Sequence, residues 1–259
     1  MVTVSRLERY VDNAGNEIVY DGPLLEKVRI KFTGANNRLV VDGAARINNL
    51  VVDFDCDNGY CSIGPSKGVP AFSGAIRVGQ DSRVEIGANV SATATVGMSA
   101  TEGSAITIGD DVMFASQNQV RADDGHPIFD VISGKRVNVS RSIHIGNHVW
   151  LGWGAIVLGG SRVGDGSVLG FNTVLKGKVP NNAVAVGSPA RVVRRNIAWE
   201  RPHLSLSKPY YKPDASAVKK SNAYWQLTEE PGARNRLGML PRKVLKFAHR
   251  VRRRLQRGR

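Results

Sequence analysis

Residues 145–176 read IGNHVWLGWGAIVLGGSRVGDGSVLGFNTVLK, and every sixth position from Ile145 is aliphatic: Leu151, Val157, Val163, Leu169 and Leu175. The next position is most often glycine (Gly146, Gly152, Gly164, Gly170), and the position four on is small or valine (Val149, Ala155, Ser161, Ser167, Thr173, Val179). A 3.6-residue helix does not return to one face on steps of six, and six residues are too few for a helical repeat unit. A short strand and a tight turn do fit. The aliphatic residue points into a prism-shaped core, glycine gives the turn open backbone space, and the small residue occupies a crowded corner. Each strand then pairs with those above and below, so stability is collective. The pattern predicts an all-β chain wound as a parallel β-helix.

Stepping by six from Val78 gives a second run: Val84, Val90, Val96, Glu102, Ile108, Phe114, Val120 and then His126. Only Glu102 interrupts it before the histidine. The two runs differ in phase by one residue, which places an insertion between His126 and Ile145. Upstream, IKFTGANNRLVV and VDFDCDNGYCSI, headed by Ile30 and Val52 and spaced 22 apart, read as looser opening coils. The expected organisation is an N-terminal segment 1–27, a β-helix 28–195 with one extruded loop, a C-terminal arm 196–231 rich in aromatics, and a basic tail 232–259. The tail carries Val244, Phe247, Ala248, Val251 and Leu255 at helical steps, an apolar stripe amid arginines.

The 259 residues are 42% hydrophobic, enough for a full core, and carry a formal net charge of +14. Eleven of those charges follow Glu230, where no acid remains, so the basicity belongs to the tail and not to the body. Nucleic acid is therefore not the expected partner; the tail reads either as a binder of an anionic membrane surface or an acidic polysaccharide, or as a solvated segment with no partner. Cys56 and Cys61 have no second pair to complete a zinc site or a disulfide framework. With no leader-like segment and no apolar run of 18 residues, the expectation is a cytoplasmic protein, peripheral to the inner membrane face if the tail binds there.

The hexads, together with GNHVWLGWGAIVLGG at 146–160 and VGSPARVVR at 186–194, resemble the hexapeptide-repeat acyltransferases. DGHPIFD at 124–130, VWLG at 149–152 and NIAW at 196–199 resemble the branch of capsular-polysaccharide and polysialic acid O-acetyltransferases. The periodicity is silent on handedness, and parallel crossovers in general favour the right hand; left-handed winding is implied by the resemblance alone. The resemblance also implies a homotrimer, acetyl-CoA as donor with no metal, and a carbohydrate hydroxyl as acceptor. It maps the family's catalytic base onto His126 and a tryptophan beside the reaction site onto Trp150. Trp153 matches a backbone donor near the thioester, Phe171, Lys176 and Gly177 match residues lining the pantetheine, and Arg191 and Arg194 match basic positions at the phosphates. Trp153 and Phe171 are bulkier than the residues of the sugar-acetylating cousins.

Acyl transfer to a hydroxyl requires a base, a donor for the developing oxyanion and alignment. Imidazole, with an ordinary pKa of about 6.5, suits the first task. Asp123 and Asp124 either orient His126 or cap a turn. His144 and His148 raise a zinc-dependent rival, a β-helix carbonic anhydrase, which lacks its expected histidine spacing here. The remaining alternatives are N-acylation of a nucleotide-sugar amine and a non-catalytic trimeric scaffold.

Overall fold

A computed structural model describes residues 1–229, so the basic tail lies outside the described residues. The chain winds around a three-faced prism. Its first face stacks Val28–Phe32, Ile47–Phe54, Phe72–Val78, Val96–Ala100, Gln119–Arg121, Ile156–Leu158 and Val174–Leu175. The second stacks Ser91–Ala92, Met113–Phe114, Trp150–Leu151, Val168–Leu169 and Ala183–Val186. The third runs from Glu17–Val19 through Arg38–Val41, Tyr60–Ile63, Arg83–Ile86, Ala105–Ile108, Ile143–Ile145 and Arg162–Val163 to Lys178–Val179. Two 3-10 turns, Ala215–Ala217 and Asn222–Tyr224, are the only helix among the described residues.

Strand pairing along the stacks is parallel, and the antiparallel pairs sit at the ends. Val2–Val4 runs against Val28–Phe32 and Tyr10–Val11 against Glu17–Val19 at the bottom; Arg191–Arg195 folds back on Ala183–Val186 at the top. These reversed strands cover edges that would otherwise offer unpaired N–H and C=O groups to another chain. Fully buried Leu7 helps close the bottom.

The spacing of the opening segments holds, since Ile30 pairs with Val52 and Phe32 with Phe54. Tyr10, Phe32 and Phe54 form one aromatic stack, with centroids 5.9 and 5.2 Å apart. The stack starts earlier than residue 28, however, because Glu17–Val19 already pairs in parallel with Arg38–Val41.

The six-residue run from Val78 to Val120 occupies two slots rather than one. Ile108, Phe114 and Val120 lie beneath Ile145, Leu151 and Val157. The positions beneath Ile108, Phe114 and Val120 are Ile86, Ala92 and Met98, so Val84, Val90 and Val96 fill the other inward position two residues earlier. The cause is coil length. Strands pair 21 to 25 positions apart in the lower coils, as Gly97 does with Gln119 at 22, and 16 to 18 apart above the loop, as Ile156 does with Val174 at 18. The additional residues form a turn at Thr101–Ser104, and Glu102 sits on it at φ 56°. Cys61 is buried in the core, where desolvation pushes its thiol up to about 12, and Cys56 is exposed.

Candidate active site

The insertion leaves the first face after Arg121 and returns before Ile143. Its ends meet where Arg141 N–H donates to Ala122 O at 3.0 Å and Gly160 N–H donates to Arg141 O at 3.2 Å. A Cβ at Gly159 would lie 2.8 Å from Ala122 O, so only glycine lets the next coil pass this close above the pinch. Between the two ends, residues 123–140 form the excursion that carries His126.

Three contacts hold the excursion. Asp123 is buried and accepts from Ser99 Oγ at 2.5 Å and from Gly125 N–H at 3.0 Å. Asn138 ties the outgoing and returning limbs: its Nδ2 donates to Asp124 Oδ2 at 3.0 Å and to His126 O at 2.8 Å, and its Oδ1 accepts from Ile128 N–H at 2.7 Å. Glu102 reaches the returning limb, pairing with Arg136 and accepting from Ser140 Oγ at 2.6 Å. Hydrogen bonds from Arg136 and Ser140 hold the Glu102 carboxyl down at about 2. The residue that interrupts the hexads is thus an anchor of the loop.

His126 is exposed, and neither neighbouring carboxylate holds its ring. Asp123 bonds Ser99 and Gly125, and Asp124 is linked to the His126 carbonyl only through the shared donor Asn138 Nδ2. The outer limb is apolar and open to solvent, with Val131 at 95% and Ile132 at 93% exposure beside Ile128 and Phe129.

The remaining sequence-predicted residues divide between separate corners. Trp150 projects outward from the second face between Met113 and Val168. Trp153 and Phe171 stack on the corner joining the second face to the first, 38% and 69% exposed; Asn172 N–H donates to Trp153 O at 2.8 Å. Arg191 belongs to the same corner, opposite Val186, and Arg194 lies on the capping strand opposite Val184. Lys176 and Gly177 sit at the far end of the first face, on the corner of the loop base, where Arg162 N–H donates to Gly177 O at 2.9 Å. Gly177 has φ +143° with open space where a side chain would stand. Five residues carry the chain across one face, so positions 171 and 176 cannot share a corner.

No family model matches the chain. It is 38% identical over 96 residues to the polysialic acid O-acetyltransferase of Escherichia coli O1:K1 / APEC, covering 37% of this chain and 31% of that one. It is 34% identical over 113 residues to the galactoside O-acetyltransferase of Escherichia coli (strain K12), covering 44% and 54%. The matches therefore span between a third and about half of these curated relatives. The crystal structure of the polySia specific acetyltransferase NeuO is similar over 75% of this chain and 90% of that one, with 33% identity and a TM-score of 0.66. The chain belongs to the hexapeptide-repeat acetyltransferases.

In this chain the β-helix is left-handed. The two histidines of the zinc reading do not meet. His144 is an exposed third-face residue opposite Arg162. His148 is buried, with Nδ1 2.5 Å from Asp111 Oδ2 and Nε2 2.9 Å from Trp199 O. Burial pushes the Asp111 carboxyl up, but the His148 hydrogen bond and the Arg201 charge outweigh it and keep the carboxyl below its ordinary value. Arg201 also donates to Ser91 Oγ at 2.9 Å and Asn89 O at 3.0 Å, docking the arm across neighbouring coils. Sequence reading missed this cluster because its partners stand 37 to 112 positions apart and no local pattern joins them.

Glu102→Gln should loosen the returning limb, seen as lost hydrogen-exchange protection at the Asp130, Gly134 and Val137 amides. Because the folded pKa lies below the ordinary 4.5, the anchoring contribution of Glu102 is complete above that value and is lost as pH falls through about 2. Wild-type protection factors should stay level from pH 7 to about 5. Equal protection in the variant at neutral pH would show that Glu102 does not hold the loop.

Proposed function

We propose that this protein is an acetyl-CoA-dependent O-acetyltransferase that acetylates a hydroxyl of a cell-surface or capsular sugar, with His126 as general base. The observation carrying this reading is an exposed imidazole, bonded to nothing among the described residues, on a loop held at its base and along both limbs. Such a loop fixes where the base stands while leaving its nitrogens available. The names of the relatives support the reaction class.

Acetyl-CoA, when bound, supplies an activated acetyl thioester. The residues fit it: Trp153 and Phe171 form an exposed apolar ridge for an extended chain, and Arg191 brings a guanidinium fork suited to phosphate to the same corner, with Arg194 beside it on the cap. His126 takes the proton of the acceptor hydroxyl as its oxygen bonds to the acetyl carbon. It returns that proton to the sulfur when the C–S bond breaks. The Trp153 N–H is the donor assigned to the oxyanion.

We infer that the working unit is a homotrimer. In one chain the His126 loop springs from one corner and the Trp153–Phe171 ridge from another, and the outer limb exposes Ile128, Phe129, Val131 and Ile132. A threefold assembly buries that limb against the next copy and carries His126 to that copy's ridge. Lys176 and Gly177 then face the donor from the subunit that lends the histidine. We propose a cytoplasmic location, and the charge of the tail beyond Glu230 supports its binding to an anionic membrane or acidic polysaccharide.

Thiol release from acetyl-CoA in the presence of candidate glycans tests the reaction. His126→Ala should lose about 10²–10⁴-fold in turnover, the range of general-base catalysis, with assembly unchanged; near-wild-type turnover overturns the base. In the Arg191→Ala/Arg194→Ala variant the KM for acetyl-CoA should rise more than that for a truncated thioester without the nucleotide, and an equal rise places the arginines elsewhere. Ending the chain near Pro231 should abolish binding to anionic vesicles or acidic polysaccharide at low salt while leaving turnover on a small acceptor intact. Retained binding to both rules the tail out as an anchor.

A further inference from the structure

The arm leaves the cap at Asn196 and returns to it at Thr228. Asn196 N–H donates to Thr228 Oγ1 and Thr228 N–H to Asn196 Oδ1, both at 2.8 Å, and Thr228 Oγ1 donates to Asn182 O at 2.9 Å. Within this closed excursion Glu200 accepts from Ser221 Oγ and Trp225 Nε1, each at 2.7 Å. The arm therefore has a built interior and is seated on the β-helix at Asn182, Asp111 and Asn89. None of the chemistry assigned above uses it.

What the arm brings to the second face is Trp199. Its indole stacks on the His148 ring at 4.1 Å and 13°, and Tyr224 covers the same imidazole at 4.5 Å and 6°. The exchange is reciprocal: Trp199 Nε1 donates to His148 O at 2.9 Å, and His148 Nε2 meets Trp199 O at the same distance. Asp111 fixes the rotation of the imidazole from the opposite nitrogen, and Arg201 in turn holds Asp111 Oδ1 at 2.5 Å. With both ring nitrogens bonded and both ring faces covered, His148 has one orientation. Trp199 inherits it. Its other neighbour is Trp150, 6.0 Å away and tilted by 45°.

We propose that His148 and Trp199 are positioning residues for Trp150, and that the arm through them forms one wall of the acceptor site. The proposal rests on the reading that places Trp150 beside the reacting hydroxyl. Two indoles set at an angle make a fixed apolar corner, the kind of surface on which the C–H face of a sugar ring packs. Met113 and Val168 flank Trp150 on the adjoining rungs, and Trp199 adds an aromatic constraint from the arm. A free choice of rotamer would lower acceptor affinity by the share of time spent in the wrong one.

Two measurements on the full chain test this. In a Trp153→Phe/Trp225→Phe background only Trp150 and Trp199 emit among the described tryptophans, and further Trp199→Ala should leave Trp150 more open to acrylamide quenching than Trp199→Phe, which keeps a ring in place. Equal quenching overturns the proposal whatever the acceptor proves to be. In otherwise wild-type protein, with a soluble sialic acid oligomer or the best glycan from the screen as acceptor, Trp199→Ala should raise acceptor KM about 3- to 10-fold, the scale of one aromatic contact. The KM for acetyl-CoA should not move, and Trp199→Phe should recover most of the loss. An unchanged acceptor KM in Trp150→Ala removes the underlying placement of Trp150. An impaired Trp150→Ala beside an unimpaired Trp199→Ala removes only the role of the arm.

Discussion

Hydrogen bonding from coil to coil is the constraint on which everything else in this molecule depends. Most strands of the second face are two residues long, too short to hold a conformation without the strands above and below. Each coil must therefore return in register with its neighbour, and material that does not fit the register has to leave the prism. The four residues at Thr101–Ser104 leave as a turn, and residues 123–140 leave as a loop. In both cases the first buried position after the departure is an isoleucine, Ile106 and Ile143.

The same constraint makes the loop a rigid mount for His126. Its root is as narrow as one backbone hydrogen bond, between Arg141 and Ala122, and Gly159 of the next coil permits the close approach. Above that root the limbs are cross-tied by Asn138 and pinned by Asp123 on one side and Glu102 on the other. The polar anchors are charge-assisted and lie against the coils, whereas the apolar side chains face outward. In the single chain those side chains stand in water, an apolar patch larger than isolated surface residues make.

The arm solves a different problem. A β-helix face presents side chains on a flat lattice with rungs about 4.8 Å apart, which gives reach but little concavity. A segment returning across the corner adds relief, and it needs a firm seat because it contributes no strand. Arg201 and the His148–Asp111 pair give that seat by satisfying buried polar groups that would be costly to leave unpaired. Trp199 then stands over the second face beside Trp150.

The hexads alone determined the architecture, because a side chain that points inward every sixth residue has few ways to be buried, and the phase shift before Ile145 located the loop that bears His126. The 22-residue spacing of Ile30 and Val52 was legible for the same reason. Glu102 was legible only as an irregularity; that it grips Arg136 and Ser140 follows from a turn and a loop meeting 34 to 38 positions apart. The tertiary structure also decided that Asp124 bonds Asn138, that Phe171 and Lys176 stand on different corners, and that His148 lies between Asp111 and Trp199. Periodicity reports which way a residue faces along its own coil. It carries no information about which distant segment comes to rest against it, and the corners, the loop anchors and the arm are made of such contacts.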